Sequence, residues 1–353
     1  MDNILRFDAV KFVTKSEYIS NINGNLFKHV VDITTGEVVS VEFHSNRHSN
    51  IIPFELYIRV NYESDRMTVE FSSKILLADY PLLISAQTFR KCLLNIEILR
   101  ICKFDIDGII KDCYFNKLHI TRDIDLELTP DILNRLNQCT GEYRRYKWNK
   151  YENNGISFTK DVKASDCKET LTIYNKGIEL ALSRNKVFLN KTGDAASILD
   201  YFQNKTRFEV KLENKRKIEK ELSIVDTDFN SVMNARANVL LAQFDKIFTS
   251  NIPSTDSMQI NNIVDYGLWC IIRYHKFDIK SIEQEIKDMK LYGDKTKGAM
   301  GKQMKKIRAM MQAHLNQNYK ADSVIEGITP LFMWRRRVGY EMPNLVQTSC
   351  LDK

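Results

Sequence analysis

Residues 172–180 bring together a phenol, an ammonium group and a carboxylate, the side chains of Tyr174, Lys176 and Glu179. The residues before this segment have the pattern of a strand end, and the apolar residues after it repeat at helical spacing. A strand that turns directly into a helix would crowd the three side chains into one small volume. A tyrosine beside a cation and a metal-binding carboxylate is suited to attack a phosphodiester, although a phenol with an ordinary pKa near ~10 needs help to ionise at neutral pH. A tyrosine near a helix start is more often a packing residue, so this interpretation depends on further residues.

Three other segments alternate apolar and polar residues as half-buried strands do, at 67–71, 118–128 and 207–212. The alternation places Glu70 and Glu209 on the polar faces of the first and last of these segments. The polar face of the middle segment carries His119, Thr121, Asp123, Asp125 and Glu127. If the strands lie side by side, carboxylates from distant parts of the sequence meet on one sheet face. There they repel one another unless a proton or a divalent cation lies between them.

Carboxylate oxygens are hard ligands that favour Mg²⁺ or Mn²⁺. The sequence therefore predicts a site for Mg²⁺ or Mn²⁺ with the candidate ligands Glu70, Asp123, Asp125 and Glu209. Each of these acids alone is typical of a solvated strand face. Their combination with the Tyr174 segment is what indicates phosphodiester chemistry.

The segments 67–72, 121–126, 173–180 and 207–212, in this order, resemble the motifs of rolling-circle replication initiators. The resemblance is strongest to the gene II/X-type proteins of filamentous phages and to the trans-acting initiators of small plasmids, and it covers roughly residues 30–222. It implies that Tyr174 nicks one strand of a replication origin, with Lys176 and Glu179 as its motif companions. The implied activity is a metal-dependent, single-strand endonuclease that also rejoins strands through a 5′-phosphotyrosine intermediate.

The resemblance leaves several residue roles open. Lys176 would either lower the pKa of the phenol or pair with a phosphate oxygen, and Glu179 would be a metal ligand, a base or a charge that complements the helix start. Many relatives have one residue between the arginine and the first acid of the second motif, whereas Asp123 directly follows Arg122. The residue after Asp125 favours that aspartate as the equivalent acid, but the choice between Asp123 and Asp125 stays open.

Basic residues are clustered in this chain, which has 353 residues and a formal net charge of +7. The first cluster alternates with aromatic rings, and its candidate DNA-binding residues are Arg144, Arg145, Lys147, Trp148 and Lys150. Basic side chains neutralise phosphates and aromatic rings stack on unpaired bases, although a solvated loop is the alternative interpretation. A second basic cluster at 295–308 is equally consistent with nucleic-acid binding and with the solvent-exposed face of a helix.

Cysteine usage and hydropathy bear on location. The seven cysteines are scattered without CxxC spacing, which indicates reduced thiols in a cytoplasm, or the host cytoplasm if a phage encodes the chain. No signal-peptide pattern and no run of ~18 apolar residues occur, so the sequence predicts no membrane association. The sequence has no Walker-type loop, so unwinding is expected to come from a host helicase, with a host polymerase extending the nicked strand. The expected DNA target is an origin with an extruded hairpin or a single-stranded nick site.

The elements that must position these residues give an α+β pattern. Residues 1–222 are rich in strand-type segments with helices between them, which predicts a largely antiparallel sheet in two strand-rich halves, with helices on one face and the acids on the other. Residues 223–325 predict a helical domain, including one helix over 229–248, and residues 326–353 predict a partly disordered tail.

Two other functions fit the same residues. A non-catalytic origin-binding protein would read duplex DNA with its helical region, and its acidic sheet face would be ordinary surface. A structural protein would carry basic patches that bind nothing specific. Covalent attachment to DNA separates the enzyme from both alternatives, whereas a monomer and a homodimer are equally compatible with the sequence.

Overall fold

The structure is a computed structural model. It describes residues 5–49, 52–138, 146–151, 154–160, 169–248, 260, 262–275, 277–290, 297–319 and 328. The strands are β1 (Phe7–Thr14), β2 (Ile19–Ser20), β3 (Lys28–Val31), β4 (Val38–His44), β5 (Leu56–Asn61), β6 (Arg66–Ser72), β7 (Lys103–Phe104), β8 (Tyr114–Asp125), β9 (Tyr146–Tyr151), β10 (Gly155–Lys160), β11 (Thr170–Asn175) and β12 (Lys205–Leu212).

The helices are α1 (Phe89–Ile98), α2 (Ile106–Asp112), α3 (Pro130–Gln138), α4 (Lys176–Ala181), α5 (Lys186–Thr192), α6 (Ala195–Phe202), α7 (Lys215–Leu222), α8 (Phe229–Met233), α9 (Val239–Phe248), α10 (Ile263–Tyr274), α11 (Ile279–Asp288) and α12 (Lys297–Tyr319). Short 3-10 segments lie at Ser16–Tyr18, Ser45–His48, Ser73–Leu82 and Ser183–Asn185. None of the helices in these described ranges is both long enough and apolar enough to cross a bilayer.

One large sheet organises the first 212 residues. Its strand order is β3-β4-β5-β6-β1-β8-β12-β11-β10-β9, and every neighbouring pair is antiparallel. Strands β2 and β7 form a separate two-stranded pair. The predicted α+β class with a largely antiparallel sheet is therefore confirmed.

One face of this sheet is apolar and is covered by helices. Phe208 of β12 contacts Phe244 of α9 with a centroid distance of 6.3 Å. Phe89 of α1 packs against Phe12 and Phe115 of the sheet, at 5.5 and 5.9 Å. Burying each such ring contributes roughly 1.5–3 kcal/mol, so this layer of rings is a major source of the fold's stability.

The opposite face carries the polar residues that the strand alternation predicted. Across β8, β12 and β11, Asp123 is opposite Arg207, and Arg207 is opposite Tyr174. Short helices cover this end of the polar face, a feature that the sequence did not indicate. Tyr80 lies in the Ser73–Leu82 segment, and its ring centroid is 5.4 Å from that of Phe202 in α6.

The helical region differs from the sequence-based prediction in one respect. The single helix predicted over 229–248 is wrong, because α8 ends at Met233 and α9 starts at Val239. Asn238 explains the new start, since its side-chain oxygen accepts a hydrogen bond from the backbone N–H of Leu241 at 3.2 Å. An asparagine that caps in this way favours a helix start over a helix interior.

Two separate hydrophobic cores follow from this arrangement. The sheet core extends past residue 222 to include Val232 and Phe244, so α8 and α9 pack with the sheet. Helices α10, α11 and α12 enclose a second core built from Ile272, Ile282, Met304, Ile307 and Met311. The predicted disordered tail at 326–353 lies outside the described residues, apart from residue 328.

Candidate functional site

The predicted strand-to-helix junction at Tyr174 is confirmed. Strand β11 ends at Asn175, and α4 begins at Lys176 without an intervening loop. The side chain of Asn175 makes this possible, because its oxygen accepts a hydrogen bond from the backbone N–H of Ile178 at 2.9 Å. This N-cap satisfies a donor that would otherwise be unpaired at the helix start. The junction places Tyr174, Lys176 and Glu179 around one point.

A glycine on the neighbouring strand accommodates Tyr174. Gly155 is directly opposite Tyr174 in the β10–β11 pair. A Cβ atom at position 155 would lie 2.6 Å from the Cβ of Tyr174 and 2.9 Å from the backbone oxygen of Ile173. Real Cβ contacts are not this short, so only glycine fits there without displacing the tyrosine.

Lys176 is almost completely buried and paired with Glu179. The Nζ atom of Lys176 lies 2.6 Å from Oε2 of Glu179 and 5.5 Å from the ring centroid of Tyr174. Burial opposes the charge, but the neighbouring oxygens of Tyr174, Tyr80 and Glu179 outweigh it and hold the pKa of Lys176 well above its usual value. Lys176 is therefore a fixed positive charge beside the phenol.

Glu179 is ionised in this environment. Burial raises its pKa, but the charges of Lys176 and Lys74 and the hydrogen bond from Asn185 lower it to about 2. A carboxylate with this pKa is a poor general base at neutral pH, because almost none of it takes up a proton. The predicted role of a base does not fit this pKa, and the contact observed is an ion pair that orients Lys176, which the sequence did not indicate.

The Tyr174 hydroxyl has a pKa well above its ordinary value. Burial raises it, and the charge of Lys176 lowers it without compensating fully. Lys176 therefore lowers the pKa of the phenol, as predicted, but burial raises it by more. The phenol is protonated at neutral pH. Within the described part of the chain the hydroxyl has no hydrogen-bond partner, and Tyr174 lines an open cleft.

Arg207, the cross-strand neighbour of Tyr174, binds acids on two other strands of the sheet. Its guanidinium is 0% exposed and makes two bonds to Asp123, at 2.7 Å to Oδ1 and 2.8 Å to Oδ2. It also donates to Oδ1 of Asp8 at 2.8 Å and to the hydroxyl of Tyr80 at 3.0 Å. Burial raises the pKa of Asp8, but the charges of Arg207 and Lys176 and the hydrogen bond from Ser73 hold it far below its usual value.

The predicted metal ligands are each neutralised by a basic side chain. Glu70 pairs with Lys117 at 2.7 Å and with Lys11 at 3.3 Å. Glu209 pairs with His119 at 3.3 Å and with Lys211 at 3.5 Å. The side chain of Asp125 is 81% exposed and pairs with Lys205, whereas Asp123 is bound to buried Arg207.

These carboxylates share a sheet face but do not form one group. Strands β6 and β12 are separated by β1 and β8, which puts Glu70 about 14 Å from the strand of Glu209 at ~4.8 Å per strand spacing. No set of three or more His, Cys, Asp or Glu side chains among the described residues is placed to hold a metal ion. At this separation Glu70 and Glu209 cannot bind the same ion, so the four predicted ligands do not form one site in this arrangement.

The cleft beside Tyr174 has a volume of about 650 Å³. Besides Tyr174, Lys176 and Glu179, its polar lining includes Asp8, His44, Glu55, Lys74, Arg184 and Asn185. None of these six additional residues was among the site residues predicted from the sequence. Only Asp8 gave a usable signal, because it lies between the apolar residues Phe7 and Ala9 in an alternating strand, whereas Lys74 and Arg184 come from short segments without periodicity.

The predicted DNA-binding cluster is only partly described. Arg144 and Arg145 lie outside the described residues, and Lys147, Trp148 and Lys150 belong to β9, for which only the backbone path is given. Strand β9 is the sheet edge and lies two strands from β11, or about 10 Å at ~4.8 Å per spacing. The segment that carries the cluster therefore runs close to Tyr174.

Two comparisons with known proteins found no match. No protein-family model matches the chain, and no curated protein matches it significantly. The resemblance to replication initiators rests on the four short motifs, three of which meet on neighbouring strands β8, β12 and β11.

Proposed function

We propose that the chain initiates rolling-circle DNA replication by nicking one strand of an origin and later rejoining it, with Tyr174 as the nucleophile. The observation that supports this most is the cleft, in which Tyr174, Lys176 and Glu179 meet as the motif requires. Tyr174 lines this cleft, and its hydroxyl has no hydrogen-bond partner among the described residues, as expected of a nucleophile that must reach a substrate.

In the proposed reaction the Tyr174 oxygen attacks the phosphorus of a DNA phosphodiester. The bond between oxygen and phosphorus forms, the bond from phosphorus to the 3′ oxygen breaks, the phenol loses its proton and the 3′ oxygen takes one up. The product is a 5′-phosphotyrosine and a free 3′ hydroxyl. Because one ester replaces another, rejoining is the reverse reaction and needs no nucleotide cofactor.

Lys176 is proposed to stabilise the charge that develops on the phosphate. A fixed cation in a partly enclosed site acts more strongly on a developing charge than the same group in water. The pair with Glu179 holds the ammonium in place before substrate arrives. The raised pKa of Tyr174 means that attack needs removal of the phenol proton, so the rate should rise with pH in the alkaline range.

The proposed partners are origin DNA, a host helicase and a host polymerase that extends the free 3′ hydroxyl. Dependence on Mg²⁺ or Mn²⁺ remains a prediction from the resemblance. We assign no step to a metal, because the four candidate carboxylates are ion-paired and separated. The test described next therefore includes arms with and without divalent cations.

The test is incubation of the full chain with a supercoiled plasmid that carries the origin of its own replicon. The proposal expects nicked circles with protein that resists removal by detergent, and neither product with the Tyr174→Phe variant. A protein that shifts the plasmid's mobility without nicking it, with Mg²⁺ or with Mn²⁺, would be the non-catalytic origin-binding protein. That result would overturn the proposal.

A further inference from the structure

Lys74 is a partly buried cation whose ammonium group donates to an amide oxygen and forms no ion pair among the described residues. It follows strand β6 and lines the cleft near Tyr174. Its Nζ atom donates to the side-chain oxygen of Asn185 at 2.7 Å and lies 5.4 Å from the ring centroid of Phe188. No carboxylate of the described residues forms an ion pair with it. An ammonium group has three donors, and one of them is used in the hydrogen bond to Asn185.

Glu179, which Asn185 links to Lys74, already has partners on both carboxylate oxygens. Its Oε2 accepts from Lys176, and its Oε1 lies 3.3 Å from Arg184 and 3.2 Å from the side-chain nitrogen of Asn185. Asn185 thus bridges Lys74 and Glu179 through opposite ends of its amide. This bridge holds Lys74 beside the ion pairs but contributes no negative charge of its own.

Within the described part of the chain, the other acids of the cleft also form no ion pair with Lys74. Asp8 is bonded to Arg207 and to Ser73, the latter at 2.6 Å, and Glu55 is exposed. Burial and then the like charge of Lys176 lower the pKa of Lys74, whereas the charges of Glu179 and Asp8 raise it without compensating fully. The charged residues that line the cleft are the cations Lys74, Lys176 and Arg184 and the carboxylates Asp8, Glu55 and Glu179. Lys176 and Arg184 both pair with Glu179, and Lys74 is the cation of this set without an ion pair among the described residues.

We propose that Lys74 and Arg184 form an anion subsite of the cleft that binds one phosphoryl group. The Arg184 side chain is 67% exposed on one wall, so its guanidinium can turn from Glu179 to a ligand. A phosphoryl group fits because its tetrahedral oxygens can accept from an ammonium and from a planar guanidinium at once. The ligand is either free phosphate or a phosphodiester of a nucleic-acid backbone, and the site does not depend on Tyr174 acting as a nucleophile.

The experiment measures thermal unfolding of the full chain while inorganic phosphate, or the dinucleoside monophosphate TpT, is added at constant ionic strength against chloride. A bound ligand raises the unfolding midpoint in proportion to its affinity, which gives an apparent Kd. The site variants are Lys74→Met and Arg184→Gln. The matched controls are Lys220→Met and Arg216→Gln, which remove the same charges from exposed positions of α7 outside the cleft.

We expect each site variant to weaken binding about tenfold or more, as the loss of a charge-assisted hydrogen bond does, and each control to leave it unchanged. Lys74→Arg should retain binding, which keeps the test valid if Lys74→Met does not fold. Protection by phosphate alone identifies free phosphate as the ligand, and protection by TpT identifies the backbone. No protection beyond that of chloride, or protection that persists in both site variants, would overturn the inference.

The Tyr174→Phe variant separates this inference from the proposed function. It should bind phosphate or TpT as the wild type does, because the hydroxyl makes no bond to the subsite residues. If the wild type binds an anion through Lys74 but never nicks DNA, the subsite stands and the endonuclease proposal fails. If the wild type nicks DNA but anion binding is unchanged in the Lys74 and Arg184 variants, the endonuclease proposal stands and the subsite inference fails.

Discussion

Tyr174 and Arg207 are direct cross-strand neighbours in the β11–β12 pair, on the same face of the sheet. Arg207 is fully buried and bonds to Asp123 of β8 and Asp8 of β1, so one side chain connects three adjacent strands. Tyr174 therefore lies on a strand beside an ion-pair network that joins three strands of the sheet.

Replacing Arg207 with Met should destabilise the protein strongly. It would leave the carboxylates of Asp123 and Asp8 in a buried site without their cation, which typically costs ~3–5 kcal/mol. The control is Lys205→Met on the same strand, whose partner Asp125 is mostly exposed, so the expected loss is below ~1 kcal/mol. Urea unfolding of both variants measures the difference, and equal losses would contradict the assigned role of Arg207.

The two candidate aspartates of β8, Asp123 and Asp125, should differ in their contribution to stability in the same urea unfolding experiment. Asp123→Asn weakens a bidentate bond to a buried guanidinium and should cost ~2 kcal/mol or more, whereas Asp125→Asn should stay within ~0.5 kcal/mol. If Asp125→Asn instead removes activity without changing stability, Asp125 has a functional role that its exposed ion pair does not reveal. Recovery of that activity at high Mn²⁺ would mark the residue as a metal ligand.

Glu179 should contribute to stability in a pH-dependent way. Its pKa falls from 4.5 to about 2 on folding, so its stabilisation is present above pH 4.5 and is lost as the pH falls toward 2. The shift corresponds to on the order of 3 kcal/mol. The stability difference between wild type and Glu179→Gln should therefore shrink across this range. A difference for Glu179→Gln that stays flat across this range would refute the ion pair with Lys176.

Gly155→Ala tests whether the strand opposite Tyr174 positions it. The added methyl would meet the Cβ of Tyr174 at 2.6 Å, so either strand β10 or the tyrosine must move. We expect nicking to fall at least tenfold, since displacement of a nucleophile by less than ~1 Å can cost that much. Gly267→Ala in α10, where the added methyl meets open space, is the control. Unchanged nicking by Gly155→Ala would show that the tyrosine position tolerates the shift.

Strand alternation predicted the polar face of the sheet well. In β8 and β12 the side chains at 119, 121, 123, 207, 209 and 211 share one face, as the period of two requires. The junction at Tyr174 was also predicted, because a strand pattern and a helical pattern meet there with Asn175 between them. These features depend on local sequence and need no knowledge of long-range contacts.

The partners of the acids could not be predicted from the same pattern. Period-two alternation gives the face of Glu70 and Glu209 but not the strand order, which places β1 and β8 between them. Nor did the alternating segments include Lys11 and Lys117, the two cations that pair with Glu70. The residues of the cleft wall could not be predicted either, because Lys74 and Arg184 lie about one hundred residues apart in short 3-10 segments.

The most direct test of the central claim is to identify the residue that becomes covalently attached to DNA. The wild-type chain is incubated with origin DNA, the protein is digested, and the peptide that carries the nucleotide is sequenced by mass spectrometry. The account predicts a phosphotyrosine linkage to a 5′ end on Tyr174 and its absence from Tyr174→Phe. Attachment to Tyr146, Tyr151 or Tyr201, or nicking that leaves no covalent protein, would contradict it.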